Sequence, residues 1–340
     1  MRTLNAAIIG CGAIHACHVE ALHQTPDVTL RAIADIDVDK GQRLASEYGC
    51  HFYSDYQEML QDATIDVVHI CTPHHLHKPM ILAALAAGKQ VFCEKPVGMN
   101  MAEVAEIGEA ENRARGRVGI CYQNRLNPTS QALRSLLNEQ VLGNLLSINA
   151  FLTWSRKAPY YSESPWRGRH ATEGGSLLIN QAIHTLDLLQ WLGGGVSRLK
   201  GVVDCARPAD VIDTEDTAMA TLTFSGGATG LFFASNNHTR DAPLQLDIQC
   251  ERGELQLRDN TLWRITDGKR VAIACDETPY SHSKSYWGIG HLQAINQFYI
   301  AVRSGTFEGL TGLHEAAKSL RLVEAIYRSS QLRQWISLPE

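Results

Sequence analysis

The sequence contains no long apolar run, no low-complexity segment and no internal repeat. Its first residues, MRTLNAAIIGCGAIHACHVEAL, hold an apolar stretch that is too short to cross a membrane. Gly and His interrupt that stretch where a signal peptide would need an unbroken apolar core. We therefore expect a cytoplasmic protein with no membrane segment.

The chain also lacks an excess of positive charge. The formal net charge of its 340 residues is -5, which disfavours a protein that works on nucleic acid or anionic lipid, although a local basic patch is still compatible with this value. Apolar residues make up 44% and charged residues 20% of the chain. These fractions are ordinary for globular proteins and exclude a disordered or fibrous class.

The cysteines do not form an evident disulfide framework, because they are odd in number and most lie in apolar runs such as VVHIC and QVFCE. In a chain of this size, that pattern indicates reduced and buried thiols. The nine are Cys11, Cys17, Cys50, Cys71, Cys93, Cys121, Cys205, Cys250 and Cys275.

The length favours two domains, and the pattern of segments changes near residue 122. Up to that point, apolar strand-like runs such as LNAAIIG, TLRAIAD, DVVHIC, QVFCE and RVGICYQ alternate with helical patterns. This alternation predicts a doubly wound parallel sheet, the Rossmann type of α/β domain, over residues 1–122.

The remaining residues, 123–340, show a different pattern. A helix is predicted over about 174–192, several short strands separated by Gly or Asp-Asn turns follow between 196 and 274, and two helices close the chain. Consecutive strands joined by short turns form antiparallel sheet. We predict an α+β domain built on a mostly antiparallel sheet.

The turn GCGAIH, between the first strand and the first helix, predicts a dinucleotide site. Gly10 and Gly12 would let backbone amides approach a pyrophosphate at a helix N-terminus, although His15 takes the place of the third glycine. Asp35 ends the second strand and can accept hydrogen bonds from ribose hydroxyls. Because Ile36 offers no charge for a 2'-phosphate, NAD is favoured over NADP, while Lys40 and Arg43 leave NADP open.

The stretch HICTPHHLHKP follows the fourth strand and is rich in histidine. The spacing of His74 and His77 could suit zinc, but the nearest further ligand is Cys71, which strand alternation would bury. We predict a loop along the cofactor groove and no metal. The predicted cofactor residues are Gly10, Gly12, Ala13, Ile14, Asp35, Ile36, Thr72, Pro73, His74, His77, Glu94, Lys95, Gln123, Trp166 and Arg167.

Lys95 follows the strand QVFCE directly, and Pro96 follows the lysine. A side chain at the carboxyl end of a parallel strand faces the ligand crevice of such a sheet, and the proline restricts the backbone of Lys95 to an extended form. In EGGSLLINQAIHTLDLLQWLGG, Asn180, His184 and Asp187 would share one face of the predicted helix. Polar groups on a buried helix need partners or a function.

The segments GCGAIHACHVEAL, CTPHHLHKPMILAALAAGKQVFCEKPVGMN and GGSLLINQAIHTLDLLQWLGG together resemble the Gfo/Idh/MocA family of dehydrogenases. The resemblance covers the whole chain in order, and Glu-Lys-Pro is its most specific part. It implies a Rossmann domain, a second domain with a large open antiparallel sheet, substrate between the two, and a homo-oligomer, dimer or tetramer, formed through that sheet.

The resemblance also implies roles for particular residues. Lys95 matches the active-site lysine of the family and His184 the active-site histidine. Asn180 stands where many members have aspartate, and an amide cannot act as a base. Asp187 is therefore expected to orient His184 in its place. The segment SPWRG resembles one in which Trp166 and Arg167 would approach the cofactor.

These residues predict an NAD-dependent oxidoreductase that moves hydride between nicotinamide and a secondary hydroxyl or ketone of a sugar, sugar derivative or cyclic polyol. The loop with Tyr160, Tyr161, Arg156, Arg169 and His170 suits a hydroxyl-rich or anionic ligand. Two alternatives use the same motifs: an NAD-dependent glycoside hydrolase that oxidises its sugar transiently, and a non-catalytic sensor of dinucleotide or sugar. Retention of both Lys95 and His184 argues against the sensor.

Overall fold

The computed structural model describes residues 2–207, 210–276 and 290–338. The chain forms two compact units. Within the described residues, the first consists of 2–123 and Gly290–Ala317, and the second of 124–207, 210–276 and 318–338. None of the helices in these residues has the length and apolar content to cross a membrane.

The first unit contains a six-stranded parallel sheet, as the sequence predicts. Its strands are buried apolar runs, and their order is β3-β2-β1-β4-β5-β6. Because the chain order reverses between β1 and β4, the carboxyl ends of these two strands mark the position where such sheets bind ligands. The strands are β1 (Leu4–Ile9), β2 (Val28–Ala34), β3 (His51–Tyr53), β4 (Val67–Ile70), β5 (Gln90–Glu94) and β6 (Val118–Cys121).

Helices connect these strands, and polar side chains cap three of them, including Asp55, which accepts a hydrogen bond from the amide of Gln57. Asp37 accepts a hydrogen bond from the amide of Lys40, and Asn100 accepts one from the amide of Glu103, so each caps a helix. The helices are α1 (His15–Gln24), α2 (Val38–Tyr48), α3 (Tyr56–Leu60), α4 (His77–Ala86) and α5 (Met101–Arg113).

A late segment of the chain completes the first unit. Helix α10 (Gly290–Ser304) packs against α1, and the Ile120 amide donates to the Thr311 carbonyl at 2.8 Å. These late residues belong to the predicted second domain, 123–340, whereas the structure groups Gly290–Ala317 with the first unit. As a division of function, the boundary after residue 122 stays a prediction.

The second unit contains a nine-stranded sheet in the order β14-β13-β12-β11-β7-β10-β9-β8-β15. Its described pairings are antiparallel except for the parallel pair of β7 and β10, so the prediction of a mostly antiparallel sheet is confirmed. The strands are β7 (Leu145–Thr153), β8 (Val196–Asp204), β9 (Thr217–Phe224), β10 (Thr229–Ser235), β11 (Gln245–Cys250), β12 (Gly253–Arg258), β13 (Thr261–Thr266), β14 (Lys269–Cys275) and β15 (Ile336–Ser337).

The prediction of one continuous helix over 174–192 is wrong up to residue 182 and is confirmed beyond it. Helix α8 (His170–Glu173) ends at Gly174 and Gly175, whose φ angles of 81° and 152° are left-handed. A π-helical turn (Leu177–Gln181) then leads into α9 (Ile183–Leu192). The other helices that include second-unit residues are α6 (Pro128–Asn138), α7 (Ala158–Ser162) and α11 (Leu313–Leu332).

Candidate active site

The turn after β1 has the geometry of a phosphate-binding loop. Gly10 has φ +89°, and a Cβ atom there would lie 2.7 Å from Thr72 Cγ2 and 2.9 Å from the Cys71 carbonyl oxygen. Only glycine therefore fits between this turn and the end of β4. Ala13 and Ile14 follow, and Ile14 precedes the first turn of α1 without a capping side chain, so the backbone itself presents the helix N-terminus. The turn fits a dinucleotide pyrophosphate.

His15 occupies the position where the fingerprint has its third glycine. Its Nδ1 lies 2.6 Å from the Gly12 carbonyl oxygen and its Nε2 lies 3.0 Å from the hydroxyl of Tyr48. Burial lowers the pKa of His15, so the ring is neutral. The imidazole ring therefore ties the turn to α2.

Asp35 lies directly after β2 and faces the same turn. Its Oδ2 accepts a hydrogen bond from the Cys11 amide at 2.6 Å, and its Oδ1 accepts one from the Asp37 amide at 2.9 Å. Lys40 Nζ lies 3.9 Å from Oδ2. The carboxylate is thus fixed beside the glycine turn, with one cation near it, while the neighbouring Ile36 is 94% exposed.

The loop after β4 is built around His77. Its Nδ1 lies 2.6 Å from the Pro96 carbonyl oxygen and its Nε2 lies 2.9 Å from the Thr72 carbonyl oxygen. Because both ring nitrogens face the backbone, His77 joins the loop of Thr72 and Pro73 to the segment after Lys95. This use of the ring leaves neither nitrogen directed at a zinc ion shared with His74, which is also buried.

Lys95 and Glu94 lie at the carboxyl end of β5 and differ in their surroundings. Lys95 is partly exposed, whereas the carboxylate of Glu94 is buried and accepts a hydrogen bond from His18 Nε2 at 3.0 Å. Gln123 is also buried, in a 3-10 turn directly after β6. Lys95 is therefore accessible to solvent, whereas the adjacent Glu94 is enclosed by protein.

In the second unit, two buried carboxylates hold the π-helical turn. Glu215 accepts hydrogen bonds from the Leu178 amide at 2.8 Å and from the Tyr327 hydroxyl at 2.5 Å. Glu173 accepts one from Asn180 Nδ2 and one from the Gly168 amide. These bonds satisfy donors of the π-helical turn, because Glu215 accepts from the Leu178 amide and Glu173 accepts from the Asn180 side chain.

The predicted cofactor residues of this unit lie beside Asn180. The Arg167 guanidinium lies 4.2 Å from the centre of the Tyr160 ring and 5.5 Å from that of Trp166. The Tyr160 hydroxyl accepts a hydrogen bond from Gln181 Nε2 at 2.8 Å. The structure thus brings the Trp-Arg pair and the π-helical turn together.

His184 and Asp187 lie on α9, where His184 is partly exposed and Asp187 is buried. Arg125 donates to both oxygens of Asp187 at 2.7 Å, and Ser319 donates to Oδ1 at 2.7 Å. These bonds support a structural role for Asp187. Its predicted action on His184 stays a prediction.

The pKa of Glu173 predicts a pH-dependent stability. Burial raises this pKa from 4.5 to about 7, and the neighbouring Glu215 adds to the increase. The folded state therefore binds the proton more tightly, and the resulting stability is present below pH 4.5 and is lost as the pH rises through about 7. The unfolding free energy of the wild type should therefore fall as the pH rises from 4.5 to about 7. We expect Glu173→Gln to remove about 3 kcal/mol of this fall.

Urea midpoints measured from about pH 5 to about pH 8 test this expectation. Glu163→Gln, an exposed change on the same loop, is the control. Equal slopes for wild type and Glu173→Gln would contradict the prediction. Because burial also raises the pKa of Glu215, we expect part of the slope to persist.

Two models of known protein families match this chain, one in each of its two predicted domains. One family model, described as "Oxidoreductase family, NAD-binding Rossmann fold", matches residues 4–122. A second, the GFO/IDH/MocA C-terminal domain, matches residues 130–256. The chain belongs to the Gfo/Idh/MocA family.

Individual members of the Gfo/Idh/MocA family agree with this assignment. Trans-1,2-dihydrobenzene-1,2-diol dehydrogenase of Sus scrofa is 32% identical over 236 residues, which are 68% of each chain. Levoglucosan dehydrogenase of Pseudarthrobacter phenanthrenivorans is 23% identical over 100% of this chain and 99% of its own. The crystal structure of a WlbA dehydrogenase from Chromobacterium violaceum, with NADH and UDP-GlcNAcA, has a TM-score of 0.87 at 26% identity and covers 100% of this chain and 97% of that one.

As a Gfo/Idh/MocA protein, the chain is an NAD-dependent oxidoreductase whose first unit is the NAD-binding Rossmann domain. The glycine turn fits that cofactor because it leads into a helix N-terminus that has no capping side chain and lies beside the carboxylate of Asp35. Sequence reasoning missed His18, Glu173, Glu215 and Arg125. The partners of the last three lie 5 to 112 positions away, and the available signal was only a charged residue beside apolar or glycine-rich segments.

Proposed function

We propose that this Gfo/Idh/MocA oxidoreductase acts on a secondary hydroxyl of a sugar, sugar derivative or cyclic polyol, or on the matching ketone. The observation that carries the proposal is the placement of Lys95 at the carboxyl end of β5, on the same edge of the parallel sheet as the glycine turn after β1, with β4 between them. Relatives named as dehydrogenases of levoglucosan, D-apiose and myo-inositol, which match nearly the whole chain, support the substrate class.

Each proposed catalytic residue has a chemical role. NAD, when bound, supplies the hydride acceptor or donor. Lys95 binds the reacting oxygen and stabilises the negative charge that develops there. His184 is the general base or acid, since an imidazole titrates near working pH. The two roles can be exchanged between them, and Asn180 contacts the substrate as a hydrogen-bonding group and not as a base.

The proposal is tested by offering the purified protein NAD with a panel of inositols, aldoses, sugar acids and aryl glycosides. Absorbance of NADH and release of aglycone are followed in parallel. NADH formed on one class of polyol or sugar is the expected result. Aglycone release without NADH would instead identify a glycoside hydrolase, and silence on both channels with tight NAD binding would identify a sensor.

We further propose that Asp35 binds the adenosine ribose and selects NAD. Asp35→Ser is expected to weaken NAD binding roughly 10- to 100-fold, because a hydrogen bond to a charged acceptor contributes about 1.5–3 kcal/mol. NADP should lose less or bind better, since the repulsion of its 2'-phosphate is removed. Calorimetric titration of both cofactors measures the ratio. Asp39→Ser, an exposed neighbour, is the control, and an unchanged ratio in Asp35→Ser would contradict the assignment.

The other proposed cofactor residues follow from their positions. Ala13, Ile14, Thr72, Pro73, His74, His77, Glu94 and Gln123 belong to the turns and strand ends of the first unit, and Trp166 and Arg167 to a loop of the second.

The described cysteines are all free thiols, six of them buried, which supports a cytoplasmic location.

We also propose a homo-oligomer, a dimer or tetramer, formed through the nine-stranded sheet. Phe151, Phe233, Met219 and Val202 stand directly opposite one another on the neighbouring strands β7, β10, β9 and β8. Met219 and Val202 are 45% and 44% exposed. Phe151 and Phe233 are partly exposed, and a row of apolar side chains in contact with solvent across four strands favours association.

Met219→Lys is expected to lower the mass in solution, because it places an unpaired charge within the proposed interface. Light scattering coupled to gel filtration measures this mass. Ile300→Lys, which changes a 62% exposed side chain on α10, should leave it unchanged. A monomeric wild type, or a Met219→Lys variant of wild-type mass, would refute the interface.

A further inference from the structure

The side-chain amide of Asn180 is held by a buried carboxylate. Asn180 Nδ2 donates to Glu173 Oε1 at 2.5 Å and also lies 3.4 Å from the hydroxyl oxygen of Tyr160. The other oxygen of this carboxylate, Oε2, accepts a hydrogen bond from the Gly168 amide at 2.5 Å. Both hydrogens of the Asn180 NH2 group therefore reach an acceptor within the second unit.

The two residues of this pair differ in exposure. Glu173, the last residue of α8, is fully buried, whereas Asn180, in the π-helical turn, is partly exposed. A ligand that approaches from solvent can contact the amide of Asn180, and it cannot contact the carboxylate behind it. Any effect of Glu173 on such a ligand must therefore pass through Asn180.

The chemistry of the carboxylate determines which way the amide faces. An ionised carboxylate only accepts hydrogen bonds, whereas a side-chain amide has a donor end and an acceptor end. Asn180 must therefore turn its NH2 group to Glu173, and its carbonyl oxygen, Oδ1, lies on the other side of the planar group. The reverse orientation would place Oδ1 against a negatively charged oxygen and would cost the bond between the two side chains.

Several charged and titratable groups act on Glu173. Burial raises its pKa to about 7 and the charge of Glu215 adds to the increase, whereas the two hydrogen bonds to the carboxylate and the charge of Arg167 oppose it. Glu173 is therefore ionised above about pH 7, and the orientation of the amide is fixed there. Three phenols that interact electrostatically with this carboxylate have raised pKa values and are neutral: Tyr160, Tyr161 and Tyr327.

We propose that Glu173 is a positioning residue for substrate recognition: it turns the carbonyl oxygen of Asn180 towards the substrate, where that oxygen accepts a hydrogen bond from a substrate hydroxyl. The inference rests on the proposed function, in which Asn180 contacts a sugar or polyol. It makes that function more specific, because a hydroxyl group can donate to Asn180, whereas a methoxy, fluoro or deoxy group at the same position cannot. A site of this kind selects against analogues that lack the donor.

Glu173→Gln should reverse the amide of Asn180. The Gly168 amide still needs an acceptor, so the oxygen of the new side chain stays with Gly168 and its NH2 group faces Asn180. Asn180 then turns Oδ1 to that NH2 group and presents its own NH2 group to the substrate. Adding Asn180→Asp to Glu173→Gln restores an acceptor on the substrate side, because an ionised carboxylate has no donor.

Binding of fluorinated analogues tests the proposal. The probes are the sugar or polyol of the panel that binds the protein most tightly in the presence of NADH, and its monodeoxyfluoro analogues, one for each hydroxyl group. Fluorine accepts a hydrogen bond weakly and cannot donate one, and an alcohol does not react with NADH, so binding is measured without turnover. Calorimetric titration well above about pH 7, where Glu173 is ionised, gives the Kd of each probe.

We expect one analogue to bind wild type roughly tenfold more weakly than its parent compound does, and to bind Glu173→Gln about as tightly as the parent. The double variant with Asn180→Asp should regain the wild-type ratio, and Glu163→Gln, an exposed change on the same loop, should keep it. A purely structural role of Glu173 would weaken parent and analogue equally. An unchanged ratio in a folded Glu173→Gln, or a ratio near one in the double variant, would overturn the inference.

A measurement without substrate covers a Glu173→Gln variant that does not fold. Asn180→Leu removes the donor to Oε1, so the ionised form of Glu173 loses a hydrogen bond and its pKa rises. The fall in unfolding free energy, measured in urea, should then extend further above pH 7 than in wild type, and an identical pH profile would overturn the inference. Neither measurement uses hydride transfer, so failure of the proposed reaction is distinguished from failure of the pair.

Discussion

Replacing Lys95 with methionine is expected to lower kcat by a factor on the order of 10²–10⁴ on the substrate found in the panel. Methionine keeps the approximate length of the side chain and removes the ammonium that we propose to bind the reacting oxygen. Binding of NAD should change little, because the glycine turn and Asp35 are intact. Steady-state kinetics and cofactor titration measure the two effects separately.

Lys78→Met is the matched control for this experiment. Lys78 lies on α4 of the same unit and pairs with Glu106 at 3.0 Å on the surface, so its loss should leave kcat near the wild-type value. Wild-type turnover in Lys95→Met would contradict the proposed role. A loss of equal size in both variants would indicate a general effect of removing lysine.

Asp187→Ala is expected to lower the unfolding free energy by about 3–5 kcal/mol, because it leaves the buried guanidinium of Arg125 without its carboxylate. The pair is bidentate, and its side chains are 8% and 2% exposed. Ser319 also loses its acceptor. Urea denaturation followed by fluorescence measures the change.

Asp247→Ala provides a control with the same chemistry at the surface. Arg258 and Asp247 also form a pair in the second unit, but their side chains are 27% and 25% exposed. Solvent screening should limit the effect of this control to about 1 kcal/mol or less. Similar losses in the two variants, or a stable Asp187→Ala that lacks activity, would favour the catalytic interpretation of Asp187.

The first domain was predictable because its signals are local. Each strand of the parallel sheet is a short apolar run between turn residues, and Gly10, Asp35 and Lys95 all lie at strand ends. Position along the chain therefore determines position at the carboxyl edge of the sheet. The short strand β3, with three residues, gives too weak a pattern to be recognised.

The surroundings of Asn180 were not predictable in the same way. Helical periodicity placed Asn180, His184 and Asp187 on one face, but the structure has a π-helical turn there, and its Leu178 amide donates to the carboxylate of Glu215, 37 positions away. Arg125 is 62 positions from Asp187. Such pairs depend on tertiary packing, which periodicity in one segment does not contain.

The return of Gly290–Ala317 to the first unit also constrains the order of events during protein synthesis. The parallel sheet is encoded by the first 121 residues, yet Ile120 has its partner at Thr311, and His69 has its partner at Tyr299, 230 positions further along the chain. A nascent chain of only those 121 residues would have the strands of the NAD-binding sheet and lack α10 and Thr311. The first unit is therefore completed only after translation has passed the strands of the second.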